Sequence, residues 1–433
     1  MSKFQIIVIG IFVVCIIAGV ALFATYKGKD SSTALPAITV WGTFPSGVFG
    51  TLLSQLNSSR ATVLAVNYVE MPAANFDKNF IEALARGQGP DAILIPQDML
   101  LRHGDKIIPI PATILTERDF RNTYVQEAEL YLSPAREALA LPFTLDPLVM
   151  YWNRDIYTNA GIATYPRFWD EFDGITSKID LKDVNSNIRR SAIALGEFSN
   201  INNAREILGA LLMQNGNPVT FVDTRGEGVV SALGDGQYSG IQSSTPAVTF
   251  FTQFSNPRNP RYSWNRSLPS SKSWFLSGSL ATYFGFSSEL FDIMAKNPNL
   301  NFDVAPFPQD RKGKNRVTYG SMYGFSIVRS ASNPTNTFNS LQILTAPDSL
   351  ALLNKISFLP PVRRDMLATG STDPYQSIFY DSALISRGWL DMSFSKTYGI
   401  FQNMVESISS GKETVYSAIQ TAHDQLGISL QNP

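Results

Sequence analysis

The sequence predicts an α/β protein built from two lobes with a ligand cleft between them. The chain has 433 residues, which is long enough to bury more than one core. Near its beginning, strand and helix patterns alternate, which is typical of a parallel sheet covered by helices. Further along, residues 138–153 form an extended stretch that leads from one apolar run into another. An extended segment of this kind is what a crossover between two lobes requires.

The composition argues against several classes of function. The formal net charge is -1, so the chain has no basic field that would attract nucleic acid. The two histidines, His103 and His423, are far apart in sequence, and Cys15 is the single cysteine. This inventory predicts neither a zinc site nor a Cys/His nucleophile pair, and we expect no cofactor. Residues 183–187 faintly resemble a calcium loop, but Ile188 stands where that loop needs glycine.

The N-terminal residues predict a single-pass membrane anchor. Residues 4–26 carry no charge and are mostly apolar, and about 20 such residues in a helix cross a bilayer. A cleaved signal peptide ending near Gly19-Val20-Ala21 is the alternative. Residues 27–36 then read as a short polar linker.

The first part of the body predicts a β-α-β-α-β unit. Strands are expected over 37–41, 63–69 and 92–95, and helices over 49–56 and 75–86. Ligands of parallel sheets gather beyond the carboxyl ends of the strands. Thr43, Phe44, Gln97 and Asp98 occupy those ends, and Trp41 ends the first strand. Of these, Trp41, Thr43 and Asp98 are candidate ligand contacts.

The central stretch predicts a buried strand between two helices. Residues 148–152 are an unbroken run of β-formers, and residues 143–147 interrupt the apolar sequence before them. Leu141 and Asp146 each precede a proline, which favours extended backbone at both. Asn153 is expected to cap the next helix.

The later part of the chain also alternates between helix and strand patterns. Pro166 is expected to open a helix that places Trp169 in the core. Further helices are predicted over 204–213, 247–254, 333–345 and 398–409, and further strands over 191–195, 282–284 and 317–328.

These motifs, in this order, resemble the carbohydrate-binding, maltose-binding-protein-like family of extracellular solute-binding proteins of ABC importers. The matching residues are Leu141-Pro142, Asp146, Met150 to Asp155, Ala160-Gly161, Pro166 and Trp169-Asp170-Glu171. The turn from Gly87 to Asp91 is a further match. The sequence departs from the family pattern at three places. Phe168 replaces the usual threonine before Trp169, and Ser279 replaces the lysine of the family's Phe-x-x-Gly-Lys-x-Ala-Met signature, which residues 274–281 resemble. Leu359 to Arg363 resembles the family's Gly-x-x-Pro-x-Arg turn but lacks its glycine.

The resemblance implies a periplasmic-binding-protein-like type II fold. Residues 37–145 and 305–348 would form the first lobe, and residues 146–304 and 349–433 the second, with a second crossover near 302–308. It also implies a binding protein and not an enzyme. The body would lie on the outer face of the cell membrane, capture a sugar or oligosaccharide by hinge closure, and deliver it to ABC permease subunits.

A saccharide presents hydroxyl groups along its edges and weakly polar C–H faces. Its site therefore needs hydrogen-bonding side chains and flat aromatic rings. Unpaired polar groups in such a site cost about 1–3 kcal/mol each, so it also rejects the wrong ligand. The candidate ligand-binding residues are Asp98, Asp146, Thr43, Asn202 and Ser321 for hydrogen bonds, and Trp41, Trp152, Phe286, Tyr323 and Trp389 for ring contacts.

Other functions remain open at this point. The loop from Thr43 to Ser46 lacks the charged or amide residues usual in the family, so peptides or polyamines are alternative ligands. A tethered sensor or surface protein could keep the fold without a permease. A glycoside hydrolase would need two carboxyl groups across a bond, and Asp98 and Asp146 could face each other in that way.

Overall fold

A computed structural model describes residues 35–59, 63–223, 228–234 and 240–431. The predicted anchor at residues 4–26 and most of the predicted linker at 27–36 lie outside these residues. Within the described ranges, no helix combines the length and the apolar character needed to cross a bilayer.

Strands and helices alternate along most of the chain. The strands are β1 (Ile38–Gly42), β2 (Val66–Glu70), β3 (Ala92–Pro96), β4 (Ile107–Ile108), β5 (Leu141–Asn153), β6 (Leu181–Lys182), β7 (Ile188–Ile193), β8 (Thr220–Asp223), β9 (Gly228–Ser231), β10 (Leu280–Phe286), β11 (Phe302–Ala305), β12 (Thr318–Val328) and β13 (Ser386–Arg387). The helices are α1 (Ser46–Ser59), α2 (Ala73–Ala85), α3 (Leu100–His103), α4 (Glu117–Thr123), α5 (Arg154–Asn159), α6 (Phe172–Ile179), α7 (Ala204–Gln214), α8 (Thr245–Thr252), α9 (Ser271–Leu276), α10 (Leu290–Lys296), α11 (Pro334–Leu344), α12 (Pro347–Ser357), α13 (Arg364–Ala368), α14 (Pro374–Leu384), α15 (Phe394–Ser409) and α16 (Val415–Gln431).

The first lobe is built on a sheet with the strand order β2-β1-β3-β12-β5. β1 pairs in parallel with β2 and β3, whereas β12 is antiparallel to both β3 and β5. Alternate residues of β3 point to opposite faces: Ala92 and Leu94 enter one core, and Ile93 and Ile95 enter another. Helices therefore cover both faces of this sheet, as the predicted β-α-β-α-β order requires.

The second lobe has its own sheet and its own core. β10 is antiparallel to β5 and parallel to β7, and β11 pairs with the outer edge of β5. Its core gathers large side chains such as Trp264, Phe251 and Phe275, all fully buried. The described chain thus has the predicted two-lobe, periplasmic-binding-protein-like α/β fold.

One strand serves both lobes. The first half of β5, Leu141 to Pro147, pairs with β12 of the first lobe. Its second half, Leu148 to Asn153, pairs with β10 and β11 of the second. The expected interruption over 143–147 is absent, because β12 supplies hydrogen-bond partners along that segment, and the extended backbone expected at Leu141 and Asp146 is confirmed. The sheets of the two lobes are consequently joined through β5 into one array.

β12 is the second crossover. Tyr319, near its start, lies in the core of the second lobe, whereas Met322 and Phe325 lie in that of the first. The chain therefore returns in β12 and not over 302–308, where Ala305 and Phe307 are still in the second core.

The predicted lobe boundaries remain a prediction, but the packing bears on the C-terminal part. Leu350, Leu353 and Leu367 are buried in the first core, while Phe401 and Ile419 are buried in the second. This packing favours a first-lobe position for the segment around 350–367, which the predicted division assigned to the second lobe.

Several element ends differ from the predicted ones by a few residues, and one of these shifts has a clear cause. The helix expected to open at Pro166 begins with a 3-10 turn at Trp169 and continues as α6. The amide of Gln309 donates to the carbonyl of Arg167, and the amide of Trp169 donates to that of Gln309. This tertiary pairing keeps the residues before Trp169 extended. The predicted cap is confirmed, since the Asn153 side chain accepts from the Ile156 amide at 3.0 Å.

We expect Gly320→Ala in β12 to destabilise the protein by about 1–3 kcal/mol, because the crossover is closely packed at this point. A Cβ at Gly320 would overlap Oε2 of Glu127 and lie 2.7 Å from Leu145 and 2.8 Å from Ser386. Urea unfolding measures the change in free energy. Gly399→Ala in α15 is the matched control, because a Cβ there meets nothing within 4 Å and should stabilise the helix by about 0.5–1 kcal/mol. Equal midpoints for the two variants would contradict the close packing.

Candidate functional site

A cavity of about 470 Å³ lies between the two lobes. It is lined from the first lobe by the start of α2 and the end of β3, from the second lobe by the starts of α7 and α15 and the end of β10, and across its floor by β12. The lining residues are Ala73, Ala74, Pro96, Gln97, Asp98, Met99, Arg102, Asn203, Glu206, Phe286, Tyr319, Ser321, Tyr323, Ser393, Phe394 and Ser395.

Asp98 supplies the carboxylate of the first-lobe wall. Pro96 ends β3, and a single 3-10 turn at Gln97–Met99 then places Asp98 at the carboxyl end of the sheet. Its Oδ1 is buried without a hydrogen-bond partner among the described residues. Burial raises the pKa of Asp98, and the positive charge of Arg205 in the other lobe opposes that rise. A buried acceptor with no partner is ready to receive a hydrogen bond from a ligand.

Arg102 lies one helical turn beyond Asp98 on the same wall. Its Nη1 is 2.8 Å from Oδ2 of Asp77, and its Nε is a buried donor with no partner in the described part of the chain. The first-lobe wall therefore offers both an acceptor and a donor.

The second-lobe wall is formed where two helices begin. Asn203 adopts a left-handed backbone conformation (φ 59°) and starts α7, which brings Glu206 into its first turn. The residues from Ser393 to Ser395 start α15, and the Phe394 ring is 45% exposed. The first turn of α7 has no side-chain cap, so its backbone N–H groups add amide donors to a wall with hydroxyl groups, one carboxylate and one ring.

The floor is aromatic. Tyr319, Ser321 and Tyr323 alternate along β12 and share one face of the strand. The Phe286 ring, at the end of β10, meets Tyr319 edge-on with 6.1 Å between centroids. Tyr323 meets Phe44 edge-on at 5.4 Å, and its hydroxyl lies 3.5 Å from Oγ1 of Thr43.

Gln97 holds this floor in place. Its side-chain Nε2 donates to the carbonyl of Gly320 at 2.9 Å, and its Oε1 accepts from the backbone amide of Met322 at 3.1 Å. Because Gln97 is 2% exposed, these bonds tie the turn that carries Asp98 rigidly to β12.

The structure brings four of the predicted ligand-binding residues to the cavity surface: Asp98, Phe286, Ser321 and Tyr323. Thr43 lies directly behind Tyr323. Their contact with a ligand stays a prediction.

The other five predicted residues have different surroundings. Trp41 packs against the core formed by the α2 phenylalanines. Trp152 is 9% exposed and packs against Tyr157 and Tyr165. Neither tryptophan lines the cavity.

Asp146, Asn202 and Trp389 also do not line the cavity. The Asp146 carboxylate accepts from the Ser287 hydroxyl at 2.7 Å and the Ser288 amide at 3.1 Å, and burial raises its pKa to about 6. It thus ties the crossover strand to the second lobe. The Asn202 side chain accepts from the amide of Lys272 at the start of α9, and Trp389 is 3% exposed beneath Arg205.

Sequence reasoning missed several residues that line the cavity: Arg102, Asn203, Glu206, Tyr319, Ser393, Phe394 and Ser395. For Asn203 a signal existed, because it directly follows the predicted contact Asn202 and directly precedes the helix predicted over 204–213. Nothing local to Phe394 distinguishes it from an exposed residue of an amphipathic helix.

The arrangement suits hydrogen bonding to a polar ligand. Each wall contributes one carboxylate, and the floor contributes rings that could cover C–H faces. No cluster of three metal-ligating side chains occurs within the residues that the structure describes. In the segment that faintly resembles a calcium loop, the Asp183 carboxylate accepts from the amides of Asn185 and Asn187 and pairs with Arg189 at 2.7 Å.

Comparison with known proteins adds a family and a set of similar structures. Residues 61–348 match the family model described as bacterial extracellular solute-binding protein. No curated protein matches the chain.

Three similar solved structures share the fold at low sequence identity. A cyclo/maltodextrin-binding protein complexed with maltotetraose is 16% identical with a TM-score of 0.71, over 94% of this chain and 99% of that one. The sugar-binding protein MalE from Xanthomonas citri is 16% identical with a TM-score of 0.72, over 91% and 97%. A protein with mannobiose bound is 17% identical with a TM-score of 0.63, over 90% and 99%.

Proposed function

Because the chain belongs to the bacterial extracellular solute-binding protein family, we propose that it captures a sugar or oligosaccharide between its lobes and delivers it to an ABC permease. The family and the similar structures are binding proteins and not enzymes. The hydrolase alternative is therefore set aside. The Asp146 carboxylate that it would have paired with Asp98 accepts from Ser287 and Ser288 and does not line the cavity.

The cavity between the lobes carries the proposal. Asp98 comes from one wall and Glu206 from the other, while Phe286, Tyr319 and Tyr323 provide ring surfaces between them. A sugar that bridges the walls would bond to both lobes at once, so its binding would favour the closed arrangement. Because the lobes are connected by β5 and β12, small backbone rotations in these strands would act as the hinge.

The membrane part of the proposal rests on sequence. Residues 4–26 are uncharged and long enough to form one membrane-spanning helix, and the family is extracellular. The short segment at 27–36 would then hold the body close to the outer face of the membrane, where a permease could receive the solute.

One observation also favours a cationic ligand. Asp98 and Glu206 place two carboxylates at the same cavity, and Phe394 and Tyr323 offer ring faces that attract ammonium groups. A polyamine is therefore the second candidate ligand.

A thermal-shift screen tests the proposal. We expect maltotriose, maltotetraose, mannobiose or tagatose to raise the unfolding temperature, because a ligand at 100 times its Kd stabilises the folded state by about 2.7 kcal/mol. Spermidine and a tripeptide serve as the comparison ligands. A shift with spermidine alone would replace the sugar by a polyamine, and no shift with any sugar would overturn the proposed function.

A further inference from the structure

A buried arginine lies directly behind the second-lobe wall of the cavity. Arg205 is the second residue of α7 and is 1% exposed. It is not a lining residue, so it would not touch a ligand in this arrangement. Such a buried cation needs partners, and the identity of those partners indicates what it does.

The guanidinium group of Arg205 binds two carboxylates at once. Its Nη1 is 2.8 Å from Oε1 of Glu206, and its Nη2 is 2.5 Å from Oδ2 of Asp391. Glu206 is the carboxylate of the second-lobe wall, and its side chain is 8% exposed. Arg205 therefore fixes where the Glu206 carboxylate points.

The same group also stacks on two rings. Its central carbon lies 4.4 Å from the centroid of the Trp389 ring and 4.7 Å from that of Phe394. Trp389 is buried beneath the guanidinium group, whereas Phe394 is 45% exposed and lines the cavity. Cation–π attraction thus holds the Phe394 ring against the wall.

Asp391 connects Arg205 to the start of α15. Its Oδ1 accepts from the Ser393 amide at 3.0 Å and from the Thr397 hydroxyl at 2.7 Å. Its Oδ2 is held by Arg205. Arg205 is therefore connected directly to Glu206 and Phe394, and through Asp391 to the turn that presents Ser393 and Ser395.

A simpler explanation is that this ion pair only stabilises the core. Buried ion pairs often contribute little net stability, because burying the charges costs about as much as their attraction returns. The position of this pair between α7 and α15, with both helices starting at the cavity, argues for a role in binding geometry.

We propose that Arg205 is a positioning residue that keeps Glu206, Phe394 and the first turn of α15 in binding geometry before the ligand arrives. The second-lobe wall is then preformed, and the ligand has less side-chain freedom to restrict when it binds. This inference rests on the proposed function for its effect on affinity, but the geometry of the wall can be tested without any ligand.

Hydrogen exchange of the ligand-free, full-length protein provides that test. In Arg205→Met we expect backbone amides of residues 393–398 to exchange about tenfold faster, with little change in β10. Arg205→Lys keeps the charge but loses the two-pronged geometry, so it should give an intermediate rate. If Arg205→Met does not fold, Arg205→Lys alone decides the result. Unchanged exchange at 393–398, or an equal increase in β10, would overturn the inference.

Calorimetric titration with the sugar that gives the largest thermal shift measures the effect on binding. Arg205→Lys should raise Kd about tenfold at a temperature where the variant is fully folded. Arg266→Met is the matched control, because Arg266 pairs with Glu197 in the same lobe at 3.2 Å and is 55% exposed. An unchanged Kd would overturn the role in binding, whereas failure of the wild type to bind any sugar would overturn only the proposed function.

Discussion

Asp98→Asn is expected to weaken sugar binding about 10- to 100-fold. A hydrogen bond to a charged group contributes about 1.5–3 kcal/mol, and each 1.4 kcal/mol is a factor of ten in Kd. Oδ1 of Asp98 is buried at the cavity without a partner in the described structure, so a ligand hydroxyl could donate to it at little further desolvation cost. Calorimetric titration of wild type and variant measures the ratio of the two Kd values.

The same substitution should not destabilise the ligand-free protein. Burial raises the pKa of Asp98, so its folded-state pKa exceeds the unfolded one and ionisation opposes folding. The wild type therefore loses stability as the pH rises from the unfolded-state pKa of Asp98 to its folded-state pKa. Asparagine does not ionise, so the variant does not lose stability in this way. At pH 7 the variant should therefore be at least as stable as the wild type.

A matched control separates these effects from a general loss of charge. Asp105 is in the same lobe, is 73% exposed and pairs with Lys106 at 2.7 Å. Asp105→Asn should leave Kd unchanged. Equal sugar affinity in wild type and Asp98→Asn would contradict the assignment of Asp98 to the site.

Glu127→Gln is expected to stabilise the protein strongly at alkaline pH. Glu127 is 1% exposed, and its carboxyl group packs against the backbone at Gly320 and Gly388. Burial raises its pKa from 4.5 to about 8. A difference of that size, at 1.36 kcal/mol per pKa unit, corresponds to a free energy on the order of 5 kcal/mol.

The direction of the pH dependence follows from proton binding. Between pH 4.5 and about 8, the folded protein holds a proton on Glu127 that the unfolded chain has released. Stability contributed by this group is therefore fully present below pH 4.5 and is lost as pH rises toward 8. Glutamine keeps the shape without the titration, so the difference between variant and wild type should grow over that interval and then level off.

Urea unfolding at pH 5, 7 and 9 measures this difference. Glu129→Gln is the matched control, because Glu129 lies two residues away, is 31% exposed and pairs with Arg121. The control should not be more stable than the wild type, because it loses the ion pair with Arg121. A constant difference between Glu127→Gln and wild type across the three pH values would contradict the burial of a protonated carboxyl group beside the crossover.

Local patterns were sufficient for much of the fold. The run from Leu148 to Trp152 is a strand because its unbroken β-formers are buried on both faces. The Asn153 cap and the helix from Ala204 also follow from neighbouring residues, and both are confirmed. The chain length and the extended stretch at 138–153 predicted two lobes, and the family resemblance implied the same arrangement.

The site was only partly predictable. Asp98 could be found because the end of a parallel strand is a position that sequence can locate. Trp152 and Trp389 were chosen as ring surfaces for a ligand, yet both pack in the second core. Composition shows that an aromatic ring is present but not which neighbours cover it.

By itself, the sequence determined the alternating elements, the extended backbone at Leu141 and Asp146, and the end of β3 that carries Asp98, because these depend on residues close together in the chain. Tertiary structure alone decided that β12 is the return crossover and that Arg205 meets Asp391, 186 positions later. Contacts between distant residues form when whole elements pack, and the burial and charge of each partner then depend on atoms that no local pattern specifies.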